Sequence, residues 1–137
     1  MGAIVRNESQ LKSKLMELIR DGLPGFVAIR HEDVRRAGIP DLSLTGYGKT
    51  SWIEIKHGTP DFDSTGIQEL TMLRLAAAGY ARYLVYIENQ DGSNKRTLIV
   101  HPKRLKDLEP EAWCLGYNHR WVIDFLKDRH YDKIQAT

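Results

Sequence analysis

The chain has 137 residues, 42% hydrophobic and 28% charged, with a formal net charge of +2. That suits a single globular domain spanning 1–137, long enough to bury a core without disulfides or a structural metal, and it excludes a strongly basic protein of the kind that coats nucleic acid non-specifically. No apolar run approaches the ~18 residues of a membrane span, residues 1–10 carry no hydrophobic signal region, and the lone cysteine, Cys114, fits a reducing interior, so a cytoplasmic protein is expected.

The first predicted element is a helix. Asn7 can cap it, and Gln10 three residues on makes a variant capping box. Leu11, Leu15, Leu18 and Ile19 fall on one face, and Gly22 and Pro24 end the run. A short extended stretch, 26–30, leads into a polar loop, 31–40. Two strands follow. Asp41-Leu42-Ser43-Leu44-Thr45 alternates polar and apolar, and so does Trp52-Ile53-Glu54-Ile55-Lys56. The glycines and polar residues of 46–50 form the connecting turn.

A loop with Gly58 and Pro60 precedes a second helix over 64–78, closed by Gly79. Residues 83–87 are strongly β-prone, 89–95 form a turn, and 97–100 return as a strand. Short helices are expected near 103–108 and 120–128. The order α-β-β-β-α-β-β, then helices, predicts an α/β fold with a mixed central sheet flanked by helices. A core over about 8–101 and a C-terminal helical extension over about 102–137 are expected.

Successive strand side chains point to opposite faces. Trp52, Glu54 and Lys56 therefore share one face, as do Asp41, Ser43 and Thr45 on the preceding strand. Their apolar neighbours, Leu42, Leu44, Ile53 and Ile55, should point into the core. A hairpin centred on Tyr47-Gly48 sets Asp41 directly opposite Glu54. Facing carboxylates repel, and a hard divalent cation relieves that, since Mg²⁺ favours one or two carboxylates with waters and substrate phosphate. Lys56, roughly 7 Å along the strand from Glu54, can reach an attacking water or a phosphate. Glu8 lies in register with Leu11 and Leu15 at the start of the first helix, so it can join the site, whereas Glu17 points away. An acid in a first helical turn also favours the helix dipole without any such role.

Gly38-Ile39-Pro40-Asp41, followed by Glu54-Ile55-Lys56, resembles the PD-(D/E)XK nuclease signature, and the helix carrying Glu8 resembles its first acidic motif. The second helix, with Gln68-Glu69-Leu70 through Leu75 to Ala78-Gly79, is similar to that of the VRR-NUC branch, whose members resemble Holliday-junction resolvases and often stand alone in viruses. The resemblance spans roughly 8–88. It implies a restriction-endonuclease-like core (αβββαβ). Asp41 and Glu54 would ligate Mg²⁺ or Mn²⁺ with the backbone carbonyl of Ile55, and Glu8 would support the metal. Lys56 would position or deprotonate water, and Gln68 would contact the Lys56 region or a DNA phosphate. It further implies DNA phosphodiester hydrolysis leaving a 5′-phosphate, selective for branched DNA or Holliday junctions, by a homodimer in a bacterial or phage-infected cell.

Other readings stay open beside this one. A sequence-specific restriction or homing endonuclease uses the same centre, an inactive DNA-binding module could keep the fold, and an unrelated α/β domain could carry the motif by chance. Thr65 with Gln68 also reads as a capping box. Arg35 and Arg36, just before Asp41, either reach DNA phosphates or form an exposed basic loop. Lys49 is a further DNA-binding candidate. Lys95, Arg96, Lys103 and Arg104 read as surface charges.

The five histidines lack zinc-type spacing, and His57 reads as packed rather than ligating. Asp61 and Asp63 read as caps of the second helix. Trp113, Tyr117 and Trp121 read as C-terminal core or a dimer contact.

Overall fold

The computed structural model describes residues 8–31, 38–58 and 66–135. Asn7, Arg35, Arg36, Asp61, Asp63 and Thr65 lie outside them, as does the side chain of Glu8. In chain order the elements are α1 (Glu8–Gly22), β1 (Val27–Arg30), β2 (Leu42–Gly46), β3 (Lys49–Gly58), α2 (Gly66–Ala78), β4 (Tyr80–Ile87), β5 (Arg96–Val100), a 3₁₀ turn (Pro102–Arg104), β6 (Ala112–Leu115) and α3 (His119–Gln135). The run from α1 to β4 is the αβββαβ order expected from the sequence.

The strands form one six-stranded sheet in sequential order, β1 to β6. Every neighbouring pair is antiparallel except β3 and β4. Parallel neighbours need a crossover, and α2 supplies it. Its return onto the sheet covers one face, where Met72 packs with Ala81, Tyr83, Val85, Ile87, Leu98 and Val100. Helices α1 and α3 cover the other. There Leu11, Leu15, Ile19, Val122, Ile123 and Leu126 meet Leu42, Leu44, Ile53, Ile55, Leu84, Tyr86 and Ile99. β4 is therefore buried on both sides, which is why 83–87 reads as a continuous apolar run and not as an alternation.

The β2–β3 hairpin fixes the register on which the site depends. Its two-residue turn has Tyr47 at φ 53° and Gly48 at φ 73°, the positive values a type I′ turn requires and the hand that matches strand twist. Gly46 pairs with Lys49 and Leu42 with Ile53. The pairing is the one the sequence predicts, though β3 already begins at Lys49. Gly46 is also pinned by packing, because a Cβ there would run into the Phe26 ring.

Beyond residue 102 the structure departs from the expected helical extension. Residues 103–108 form only a 3₁₀ turn and its continuation, and Ala112–Leu115 is a sheet strand paired with β5. Ala-Trp-Cys-Leu is apolar throughout, so no period of two marks it as a strand. α3 is longer than predicted and shares the α1 core, so the C-terminal segment completes the fold and is not an appendage. Among the described residues no helix is long and apolar enough to cross a membrane.

Candidate active site

The hairpin register brings Asp41, one residue before β2, opposite Glu54 on β3. The two are locked together through the backbone. The Asp41 N–H donates to Glu54 Oε1 at 2.9 Å, and the Ile55 N–H donates to Asp41 Oδ2 at 2.8 Å. The apolar neighbours Leu42, Ile53 and Ile55 point into the α1–α3 core, as predicted. Glu54, Trp52 and Lys56 consequently lie on the α2 face, where Glu54 is only 4% exposed.

From α2, Gln68 joins Glu54 to Lys56. Its Oε1 accepts from Lys56 Nζ at 3.0 Å, and its Nε2 donates to Glu54 Oε2. The Lys56 ammonium lies 3.9 Å from that same Oε2. One amide thus fixes the separation of the acid and the amine. A capping role alone would not require either contact.

Burial, and after it the Asp41 charge, together push the Glu54 carboxyl up to about 8. Lys56 only partly offsets this. A buried acid pressed against a second acid needs a proton or a cation, and at neutral pH a divalent ion serves as well as a proton. Among the described residues no three His, Cys, Asp or Glu side chains converge, so this part of the chain offers two carboxylates and backbone oxygens. That donor set fits a hard ion that keeps several waters and takes one or two carboxylates, such as Mg²⁺. It does not fit a closed zinc site.

Three contributors escaped the sequence reading. Lys12 of α1 reaches Asp41, with Nζ 2.6 Å from Oδ1. It lies one helical turn after Glu8, whose backbone opens α1, and that spacing was the available signal. His31 donates its backbone N–H to the Asp41 carbonyl at 2.8 Å, places Nε2 2.8 Å from Ser43 Oγ, and tilts its ring over Trp52 at 5.3 Å. Tyr83, beside Glu54 across the β3–β4 pair, buries a hydroxyl with no hydrogen-bond partner among the described residues. Burial raises its pKa, and Glu54 and Glu69 add to the rise.

Other candidates lie apart. Lys49 sits at the turn, five residues from Glu54 and so roughly 17 Å along the strand. His57 faces the other side of β3, where its ring meets Tyr117 at 5.6 Å and Nε2 is 3.7 Å from Glu88. It is a packed residue, as expected. Tyr117 and Trp121 pack against the α1–α3 core, whereas Trp113 is 53% exposed.

No protein-family model matches the chain, and no curated protein is significantly similar to it. Among solved structures it is similar to Hjc of Archaeoglobus fulgidus, a Holliday junction resolvase from an archaeal hyperthermophile, at TM-score 0.44 and 17% identity, over 64% of this chain and 72% of that one.

Proposed function

We propose that the chain is a divalent-metal-dependent DNA endonuclease of the PD-(D/E)XK type and the VRR-NUC branch, with Asp41, Glu54, Lys56 and Gln68 at its centre. One observation carries this reading: two acids face each other across a hairpin, one of them buried, with an amine held beside them by an amide. Asp41, Glu54 and the Ile55 carbonyl would hold Mg²⁺ or Mn²⁺, with Glu8 in support. When bound, the ion neutralises the paired carboxylates, makes water more acidic and counters charge on a phosphodiester oxygen. Lys12 and the Ile55 N–H fix Asp41, while Gln68 fixes Glu54 against Lys56. The Lys56 ammonium orients the attacking water and faces charge developing on the phosphate. The water oxygen bonds to phosphorus as the P–O3′ bond breaks, the water's proton passes to solvent, the departing O3′ takes one from solvent, and a 3′-hydroxyl and a 5′-phosphate result.

Branched or junction DNA is the substrate class we infer, cut by a homodimer because paired incisions need two sites. The described elements build the sheet and its two covers, and the recognition we infer from them is of DNA shape and not of base edges in a groove. Arg35 and Arg36 would meet phosphates beside Asp41, and a bacterial or phage-infected cytoplasm is the setting proposed. The test incubates purified protein with junction, flap and duplex DNA, in Mg²⁺, Mn²⁺ or EDTA. Metal-dependent cutting that vanishes in Glu54→Ala and Lys56→Ala is expected. Cutting that survives either substitution, or that proceeds in EDTA, refutes the assignment.

A further inference from the structure

Away from the acidic centre, a cavity of about 190 Å³ opens at the turn end of β3, lined by Lys49, Thr50, Ser51, Gly79, Tyr80, Arg129 and His130. Ser51 and Glu54 are three residues apart, about 10 Å along the strand and on opposite faces of the sheet, so the two sites are separate. Among the described residues the lining holds two permanent cations, Lys49 and Arg129, and no carboxylate.

The two arginines beside Tyr80 differ in a telling way. The guanidinium carbons of Arg82 and Arg129 each lie 4.3 Å from the centre of the Tyr80 ring. Arg82 also has an acid: its Nε donates to Glu111 Oε1 at 3.0 Å, and the same oxygen accepts from the Tyr80 hydroxyl at 3.4 Å. Arg129 is half-buried and, among the described residues, has no ion pair. Stacking uses the face of a guanidinium and leaves its N–H donors, which lie in the plane, free to bind a planar or tetrahedral oxyanion. The opposite wall is rigid. The His130 ring is tied on both sides, Nε2 2.9 Å from Ser51 Oγ and Nδ1 3.1 Å from the Gly46 carbonyl. A carbonyl only accepts, so Nδ1 carries the hydrogen and Nε2 can take the Ser51 hydroxyl proton.

Size narrows the ligand. Pockets that enclose a whole small molecule run to roughly 300–1,000 Å³, so this cavity fits one group and not an intact nucleotide. A preformed recess with an aromatic wall, a stacked arginine whose N–H donors are uncommitted among the described residues, and a second cation is suited to an oxyanion. We propose that the cavity walled by Lys49, Ser51, Tyr80, Arg129 and His130 binds a phosphoryl group, with Arg129 as the forked donor and Lys49 as the second cation. The group is supplied by a nucleic-acid strand running past the hairpin or by a free phosphate.

The full chain, kept in EDTA, is titrated with inorganic phosphate against chloride at matched ionic strength, and read by thermal shift and by amide resonances of 49–51 and 79–80. Phosphate should raise the melting temperature and move those resonances. Binding should weaken on the order of tenfold in Arg129→Gln and in Lys49→Gln, the loss of a charge-assisted hydrogen bond, and persist in Glu54→Gln. Should Arg129→Gln melt early without ligand, through loss of the Tyr80 contact, Lys49→Gln decides.

A second arm measures binding of a labelled oligonucleotide across salt concentrations. If a strand supplies the phosphate, each substitution lowers the salt slope by about one. An unchanged slope with phosphate binding intact assigns the site to free phosphate. This arm rests on the nucleic-acid reading of the chain and the phosphate titration does not, so the two can fail separately. No phosphate effect beyond that of chloride, or an effect retained in both variants, overturns the site.

Discussion

At Glu54 two forces oppose ionisation, burial and the Asp41 charge, and one adjacent side chain, Tyr83, is exposed to the same field. The Tyr83 hydroxyl is fully buried and without a partner among the described residues. Leaving a buried polar group unmade costs about 1–3 kcal/mol. Tyr83→Phe removes the oxygen and keeps the ring, so it should raise unfolding stability by about 1 kcal/mol. Urea denaturation at pH 7 checks this. A loss of stability instead would mean that the hydroxyl makes a bond the wild-type fold depends on.

The β2–β3 hairpin is the element that converts sequence into a site, because a slip of one residue would carry every side chain to the other face. Its two turn residues have positive φ, and Gly46 has no room for a methyl group against Phe26, whose ring also meets Tyr47 at 5.4 Å and His130 at 5.0 Å. Gly46→Ala therefore overpacks a junction where three elements meet, and should cost about 1–3 kcal/mol. Denaturant unfolding of the variant beside wild type tests this, and unchanged stability would mean that the Phe26 ring moves aside freely.

This hairpin was legible because its alternation is clean: Leu42, Leu44, Ile53 and Ile55 identify one face, and the polar set identifies the other. β4 was legible as a strand for the opposite reason, an unbroken β-prone run. β6 was not, since four apolar residues in a row carry no period and two of them, Trp113 and Leu115, are exposed. Nor was Lys12, because a lysine on an amphipathic helix reads as a solvated charge until the tertiary fold sets it against Asp41. Gln68 was visible through spacing and resemblance, but its double contact with Lys56 and Glu54 depends on how α2 docks.

Across the whole molecule the acidic centre draws on both covers of the sheet, with Lys12 from α1 meeting Asp41 and Gln68 from α2 meeting Glu54 and Lys56 of β3. Its protonation is therefore linked to global stability. Glu54 is raised from 4.5 to about 8 in the folded chain. A raised carboxyl contributes stability that is fully present below the unfolded value and is lost as pH climbs through the folded value. Metal-free protein should thus lose this contribution between about pH 4.5 and pH 8.

A divalent ion binds the deprotonated pair, so its affinity should rise across the same window, and its stabilisation grows as RT ln(1 + [L]/Kd). Once the ion is in excess, each tenfold gain in affinity adds about 1.4 kcal/mol, or about 4 °C of melting temperature for a domain of this size. The shift produced by a fixed Mg²⁺ concentration should accordingly be larger at pH 8 than at pH 6, and in Glu54→Gln it should be small and flat with pH. Thermal melts at the two pH values, with Mg²⁺ and with EDTA, make the comparison. An equal Mg²⁺ shift at both, or one preserved in Glu54→Gln, would mean that the ion binds away from the Asp41–Glu54 pair.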